Sequence, residues 1–354
     1  MEEEGAEADE AEADEAEAEG ADEREQARPL LHLTGNTIMV RYLITATLAL
    51  SLSLPALSAG STQEAEASTV KDLESFVGEA PTPFATVDEL VEAFRKALEE
   101  NDKEAVASLL GLSPSEVLKS KEVEASFPEI REEAAKAIAV KELASDRRSL
   151  LLGNQVWPFP FPVVQTEGKW AFDTIAGLEE VINRRIGENE LTTVANLRAY
   201  VEAQEDYKET DWDEDGVGEY AQKLISTPGT YDGLYWQPGD GVPESPFGSL
   251  ISQAELATAA EDGYFGYRYR ILNGQGANVA GGQYDYVING NMIAGFGLIA
   301  MPAEYDRTGI MTFVVNQYGT VYEKDLGPDT AALAEKITAF NPDDGWAVVN
   351  DPGE

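Results

Sequence analysis

Residues 264–272 read YFGYRYRIL, and their alternation decides the fold of the C-terminal half. From Tyr267 onward, apolar or aromatic side chains at Tyr267, Tyr269 and Ile271 are separated by arginines. Successive side chains of a strand point to opposite faces, so this pattern is typical of an antiparallel strand with one buried face and one solvated face. The segment therefore predicts a half-buried antiparallel sheet.

Two longer runs continue the strand pattern after this segment. Residues 284–303, YDYVINGNMIAGFGLIAMPA, contain an Asn-Gly turn signal at 289–290, and residues 309–326 predict a hairpin that turns at 316–319. A helix over 188–209 precedes the strands and carries its apolar side chains on one face. The C-terminal half is therefore predicted to be a long helix packed on an antiparallel sheet, followed by a closing helix over 329–340.

The first half of the chain mixes helices with short strands. Thr86 and Glu89 have the spacing of a capping box at the start of a helix, and residues 128–143 predict another helix. Strand candidates follow within 149–174, and a further helix is predicted at 175–186. This half is therefore also predicted to be helices packed on a small sheet.

These patterns predict an α+β protein with two small domains. Gly187 is expected to break the chain between two helices, which places an N-terminal domain at 84–187 and a C-terminal domain at 188–346. A polar linker is predicted at 60–83 and a short tail at 347–354.

The segment that begins at Met39, MVRYLITATLALSLSLPALSAGS, has the layout of a secretory signal peptide. A basic residue, an apolar run and small residues follow one another, so we expect a signal peptide at 39–59 with cleavage near Ala59. The run is short for a membrane span, so no stable membrane insertion is expected after cleavage. Residues 1–38 predict a disordered acidic tail, and since a signal peptide behind such a tail is hard to use, we expect translation to begin at Met39. The predicted location is periplasmic or secreted.

Composition excludes several classes of chemistry. The formal net charge of the 354 residues is −41, which disfavours nucleic acid and anionic lipid as partners. The chain contains no cysteine, and its one histidine is His32. Without a histidine after the signal peptide, Ser-His-Asp triads and histidine-ligated metal sites are excluded from the exported part. The groups that remain available for catalysis or ligand binding are carboxylates, lysine, tyrosine and the backbone.

Residues 211–222, DWDEDGVGEYAQ, have the spacing of a calcium-binding loop. Oxygen ligands fall at the first, third, fifth, seventh and ninth places, with Gly216 at the sixth. The five candidate ligands are Asp211, Asp213, Asp215, the Val217 carbonyl and Glu219. Gln222 stands at the twelfth place, where a bidentate glutamate would complete the shell, so calcium is expected to bind weakly. The same residues are also compatible with an acidic turn before a short helix at 218–226.

Several long segments resemble one known family. They are WPFPFPVV, GKWAFDTIAGLEEVINRRIGENEL, DWDEDGVGEYAQKLISTPGTYDGLYW, ESPFGSLI, GYRYRIL and the run from Gly281 to Ala334. Together they resemble the bacterial exported family known as domain of unknown function 2950, over about residues 84–346. The resemblance implies an exported protein and no particular reaction. The second half is also similar to the globular parts of type IV pilin-like proteins, which implies a pilin-like sheet, although the apolar stem of pilins is missing.

The favoured hypothesis is a non-catalytic envelope or secreted protein that binds an unidentified protein or glycan, with a weak structural calcium site. A component of a pilin-like or secretion assembly and a carboxylate-dependent hydrolase are the alternatives. Aromatic residues between 231 and 269 fit either a glycan- or peptide-binding cleft or the core and edges of the sheet. The oligomeric state stays open.

Overall fold

The computed structural model describes residues 75–248 and 263–350. Helices and antiparallel sheets alternate along these residues, which confirms the α+β class. The predicted acidic tail and signal peptide lie outside the described residues, as do residues 60–74 of the predicted linker. Among the described helices, none combines the length and the apolar character that a membrane crossing requires.

The first half opens with helices. They are α1 (Val87–Glu99), α2 (Lys103–Leu109), α3 (Pro114–Val117) and α4 (Lys121–Lys136). The hydroxyl of Thr86 accepts the N–H of Glu89 at 3.2 Å, which confirms Thr86 as the cap. The carboxylate of Glu89 accepts the N–H of Ala85 at 3.1 Å, one residue before the N–H that a capping box uses.

A small antiparallel sheet follows these helices. Its strands are β1 (Ile138–Ala144), β2 (Arg147–Leu152), β3 (Trp157–Pro158), β4 (Val163–Thr166) and β5 (Lys169–Phe172), in the order β1-β2-β4-β5 with β3 beside β2. The helix predicted over 128–143 is therefore wrong beyond Lys136. Ile138 and Val140 pair with the buried Leu152 and Leu150 of β2, and this pairing replaces the last helical turns. Leu90, Phe94, Leu150 and Phe172 lie in the core between helices and sheet.

The helix α5 (Thr174–Lys208) runs without interruption through Gly187. The predicted break at this glycine is wrong. A mid-helix glycine costs about 1 kcal/mol, and burial of Leu178 and Ile186 on one side and of Leu197 on the other offsets that cost. The boundary between the two predicted domains thus falls inside one helix, and the division itself stays a prediction.

The second sheet contains the segment with the alternating pattern. Its strands are β6 (Tyr267–Leu272), β11 (Gly297–Pro302), β12 (Met311–Asn316), β13 (Tyr322–Asp325) and β14 (Ala347–Val348). They are antiparallel in the order β14-β13-β12-β11-β6. The predicted hairpin at 309–326 is confirmed as β12 and β13. Residues 347–348, predicted as tail, instead form the edge strand β14.

Two short hairpins join β6 to β11. They are formed by β7 (Gly274–Gln275) with β8 (Tyr284–Asp285) and by β9 (Val287–Ile288) with β10 (Asn291–Met292). Asn289 and Gly290 have φ angles of +53° and +100°, and two positive φ angles are what a type I′ hairpin turn requires. The predicted Asn-Gly turn is therefore confirmed.

A cluster of buried apolar side chains packs against each face of the second sheet. The C-terminal half of α5 packs on one face, where Leu197, Tyr200 and Phe313 are buried. Val314 and Ile299 lie in a smaller core on the other face, with Ala334 of the helix α6 (Thr330–Ala334). The closing helix predicted over 329–340 is therefore real but shorter than expected.

Candidate metal centre

The acidic loop begins where α5 ends. Tyr207 and Gln204 anchor the last turns of the helix, since both side chains are buried. The indole Nε1 of Trp212 donates to the carbonyl of Tyr207 at 3.0 Å, which folds the chain back against the helix end. The carboxylates around Trp212 are thus carried on a turn fixed to the helix.

The loop is shaped by its own aspartates. Asp211 accepts the N–H of Gly216 at 2.8 Å, and Asp215 accepts the N–H of Val217 at the same distance. Asp213 makes only a long contact of 3.4 Å with the N–H of Asp215. Gly216 has φ +85°, a conformation that favours glycine. Two of the three aspartates therefore hold the turn, while Asp213 contributes little to it.

These contacts bring three carboxylates together. Asp211, Asp213 and Asp215 each offer one oxygen, and the three oxygens lie within 4.8 Å of one another. All three residues are exposed to solvent. Three such oxygens form part of the hard oxygen shell that calcium or magnesium prefers. The arrangement could hold a metal ion, and its geometry does not specify calcium.

Glu219 lies outside this group of three. Its carboxylate accepts the N–H of Met292 at 2.9 Å. Burial raises the pKa of Glu219, and the charges of Asp213 and Asp215 raise it further, while the bond from Met292 acts in the opposite direction. Glu219 is therefore near the loop carboxylates but turned toward β10. Its role as a ligand, like that of the Val217 carbonyl, stays a prediction.

The helix predicted at 218–226 does not form. The N–H of Tyr220 donates to the carbonyl of Met292 at 2.9 Å, and the N–H of Ala221 donates to the side chain of the buried Gln204 at 2.8 Å. These donors are bound to distant parts of the chain, so they are not available for a helical turn. The segment after the loop is a bridge between α5 and β10.

Sequence reasoning missed a second attachment of the loop. Asn291 donates from its side chain to Asp215 at 2.7 Å, and Gln222 donates to the carbonyl of Gly290 at 2.6 Å. Gln222, at the place of the missing glutamate, therefore binds the β9–β10 turn. The Asn-Gly turn was visible in the sequence, but the contact of this hairpin with a residue 76 positions earlier had no local signal.

The residues matched by a known family model cover nearly all of the fold described above. The model of a family described as a protein of unknown function, DUF2950, matches residues 82–349, which includes both sheets and the acidic loop. The chain belongs to the DUF2950 family. Neither the curated proteins nor the solved structures gave a match to it.

Aromatic rings lie beneath the acidic loop of this DUF2950 protein. The ring of Trp212 lies 4.8 Å from that of Trp236 and 5.4 Å from that of Tyr231, measured between centroids. Trp236 is buried and donates its Nε1 to the carbonyl of Pro243 at 2.8 Å. Tyr235 and Phe247 are buried as well. For these residues, the core interpretation describes the aromatic set better than a binding cleft.

Two shallow surface grooves lie in the N-terminal half of the DUF2950 protein. One, of about 380 Å³, lies between α1 and α4 and is lined by Leu98, Arg131 and Ala134, among others. The second, of about 430 Å³, lies beside the start of α2. The acidic loop lines neither groove.

Proposed function

We propose that this DUF2950 protein is an exported, non-catalytic binding protein of the bacterial envelope or surroundings, and that its acidic loop binds calcium weakly for a structural purpose. The observation that carries the proposal is the group of three carboxylate oxygens within 4.8 Å on one exposed turn. Its partner is an unidentified protein or glycan.

Electrostatics supports a cation in this loop. Two unit charges 4.8 Å apart in water repel each other by about 0.9 kcal/mol. A divalent cation attracts each carboxylate, and this attraction outweighs the repulsion between the carboxylates. Because Asp211 and Asp215 also hold backbone N–H groups, a bound ion would stabilise the turn itself.

The attachment of the loop gives the ion a structural role. Asp215 binds Asn291, and Glu219 binds the N–H of Met292, so the loop joins the end of α5 to the β9–β10 hairpin. An ion in the loop would fasten this junction. The helix predicted at 218–226 does not form, so the hairpin is the element that the ion would fasten to α5.

Terbium luminescence tests the metal site directly. The indole of Trp212 lies within the loop, so it should sensitise a terbium ion bound to the aspartates when the protein is excited in the indole band. We expect emission that calcium displaces at millimolar concentration and that Asp213→Ala abolishes. Trp212→Phe should remove most of the emission, because the indole nearest to the aspartates is lost. Emission that calcium does not displace, or that survives in Asp213→Ala, would contradict the proposal.

An assembly component is the second candidate function. The packing of the long α5 on the antiparallel sheet through β11 and β12 favours it, because pilin-like globular domains have such a helix. This candidate requires a retained apolar N-terminal segment. If the mature protein begins near Gly60, the assembly hypothesis loses that segment and the binding-protein hypothesis is favoured.

A further inference from the structure

Glu190 clamps the middle of α5 to the second sheet. One oxygen of its carboxylate accepts the N–H groups of Ile310 and Met311, each at 2.9 Å. The same oxygen lies 3.5 Å from the hydroxyl of Tyr267, which donates to the carbonyl of Met311 at 2.9 Å. This carboxylate therefore holds the helix against the start of β12.

A second carboxylate, Glu323 on β13, faces the same joint. Glu323 pairs with Phe313 of β12, and directly paired residues point to the same face of a sheet. Phe313 belongs to the core under α5, so the half-buried Glu323 side chain lies on the α5 face. Within the described residues, no hydrogen bond or ion pair reaches its carboxylate. The charge that acts on this carboxylate is that of Glu190.

Among the described residues, no positively charged group is found to act on Glu323. Glu190 faces Glu323 from α5, and Tyr267 faces it from β6. Its paired neighbours are Phe313 on β12 and Ala347 on β14. Asp325 lies two positions further along β13. Asp325 accepts the hydroxyl of Tyr305 at 3.4 Å. These neighbours are acidic or neutral, so two carboxylates share a partly desolvated joint without a cation to compensate them.

We propose that Glu190 and Glu323 form a proton-controlled latch between α5 and the second sheet. When Glu323 takes up one proton from solvent, its charge disappears and the repulsion with Glu190 ends. Glu190 keeps its bonds to Ile310 and Met311, so the joint between helix and sheet tightens in acid. The latch does not involve the acidic loop, so it is independent of the proposed metal site.

The pKa of Glu323 has the direction that this device needs. Burial raises it above the ordinary value, and the charge of Glu190 raises it further. The folded protein therefore binds this proton more tightly than the unfolded chain does. The resulting stabilisation is fully present below the ordinary glutamate pKa, and it is lost as the pH rises through the raised value.

Thermal unfolding of the full chain at pH 4 and pH 7 tests the latch. Glu323→Gln removes the charge and keeps the shape of the side chain. We expect this variant to melt at a higher temperature than the wild type at pH 7 and to match the wild type at pH 4, because the raised pKa of Glu323 makes its charge unfavourable in the folded protein. The control is Glu335→Gln, which changes an exposed glutamate at the end of α6 and should give the same difference from wild type at both pH values.

A titration of labelled carboxyl carbons by NMR separates the latch from a purely structural effect. Glu190→Gln keeps an acceptor oxygen for Ile310 and Met311 but removes the charge. We expect this variant to lower the titration midpoint of Glu323. A midpoint that Glu190→Gln does not move, or an unfolding difference for Glu323→Gln that is equal at both pH values, would overturn the proposal.

Discussion

Substitution of Asp213 by alanine is the sharpest test of the acidic loop. Asp211 and Asp215 each accept a backbone N–H at 2.8 Å, so replacing either one would damage the turn as well as any metal site. Asp213 makes only the 3.4 Å contact, so its carboxylate can be removed with little structural cost. Without calcium, Asp213→Ala should therefore be as stable as the wild type, because one repelling charge is lost along with one weak contact.

The size of the calcium effect follows from the ligand set. Three exposed aspartates, with Gln222 bound to Gly290 instead of completing the shell, place the site among the weak extracellular type, with Kd of about 10⁻⁴ to 10⁻³ M. At about 5 mM calcium, binding to the folded state alone then adds about 1 to 2.3 kcal/mol to the free energy of unfolding. For a fold of this size that corresponds to a rise in Tm of about 2–9 °C.

Scanning calorimetry with and without calcium measures this rise. The wild type should melt higher in calcium, and Asp213→Ala should show no shift. Asp240→Ala, at an exposed aspartate outside the loop, controls for general screening of the negative charge and should keep the wild-type shift. Equal calcium shifts in the wild type and in Asp213→Ala would refute the site, and no shift in either protein would leave the loop as an acidic turn.

Three further outcomes are expected. N-terminal sequencing of exported protein should find a start near Gly60, and an intact acidic segment on that material would contradict the signal-peptide prediction. Gly187→Ala should raise the free energy of unfolding by about 0.5–1 kcal/mol, because a Cβ there meets nothing within 4 Å. Gly177→Ala should lower the free energy of unfolding, because a Cβ there would lie 2.0 Å from the ring of Phe161. Chemical denaturation of both variants measures these changes. Gln204→Leu should destabilise the protein by about 2–4 kcal/mol in the same assay, since it leaves buried groups of its bonding partners unpaired.

Local patterns were sufficient for the strands and turns of the C-terminal half. The alternation around Tyr267 and Tyr269 predicted a half-buried strand, and β6 is the edge strand of the second sheet. The Asn-Gly pair at 289–290 predicted its turn, because few other residues adopt two positive φ angles in succession. The spacing of Asp211, Asp213 and Asp215 likewise predicted that their carboxylates would meet.

Errors occurred where a distant partner competes with a local preference. Residues 138–143 continue a helical pattern, but they pair with β2 and become a strand. Gly187 is a helix breaker by its own properties, yet α5 continues through it because buried side chains on both sides hold the helix. In both cases the local preference is about 1 kcal/mol or less per residue, so tertiary packing decides.

In the candidate site, too, local contacts were predictable from the sequence and distant contacts were not. The sequence by itself determined the turn and its three carboxylates, because each aspartate bonds to a backbone group only two to five residues away. Only the tertiary structure decided that Asn291 binds Asp215, that Met292 binds Glu219, and that Gln222 binds the hairpin turn. Contacts within a few residues depend on local backbone geometry, which the sequence encodes directly. Contacts across about 70 residues exist only after α5 and the second sheet have packed together and brought the loop and hairpin into reach.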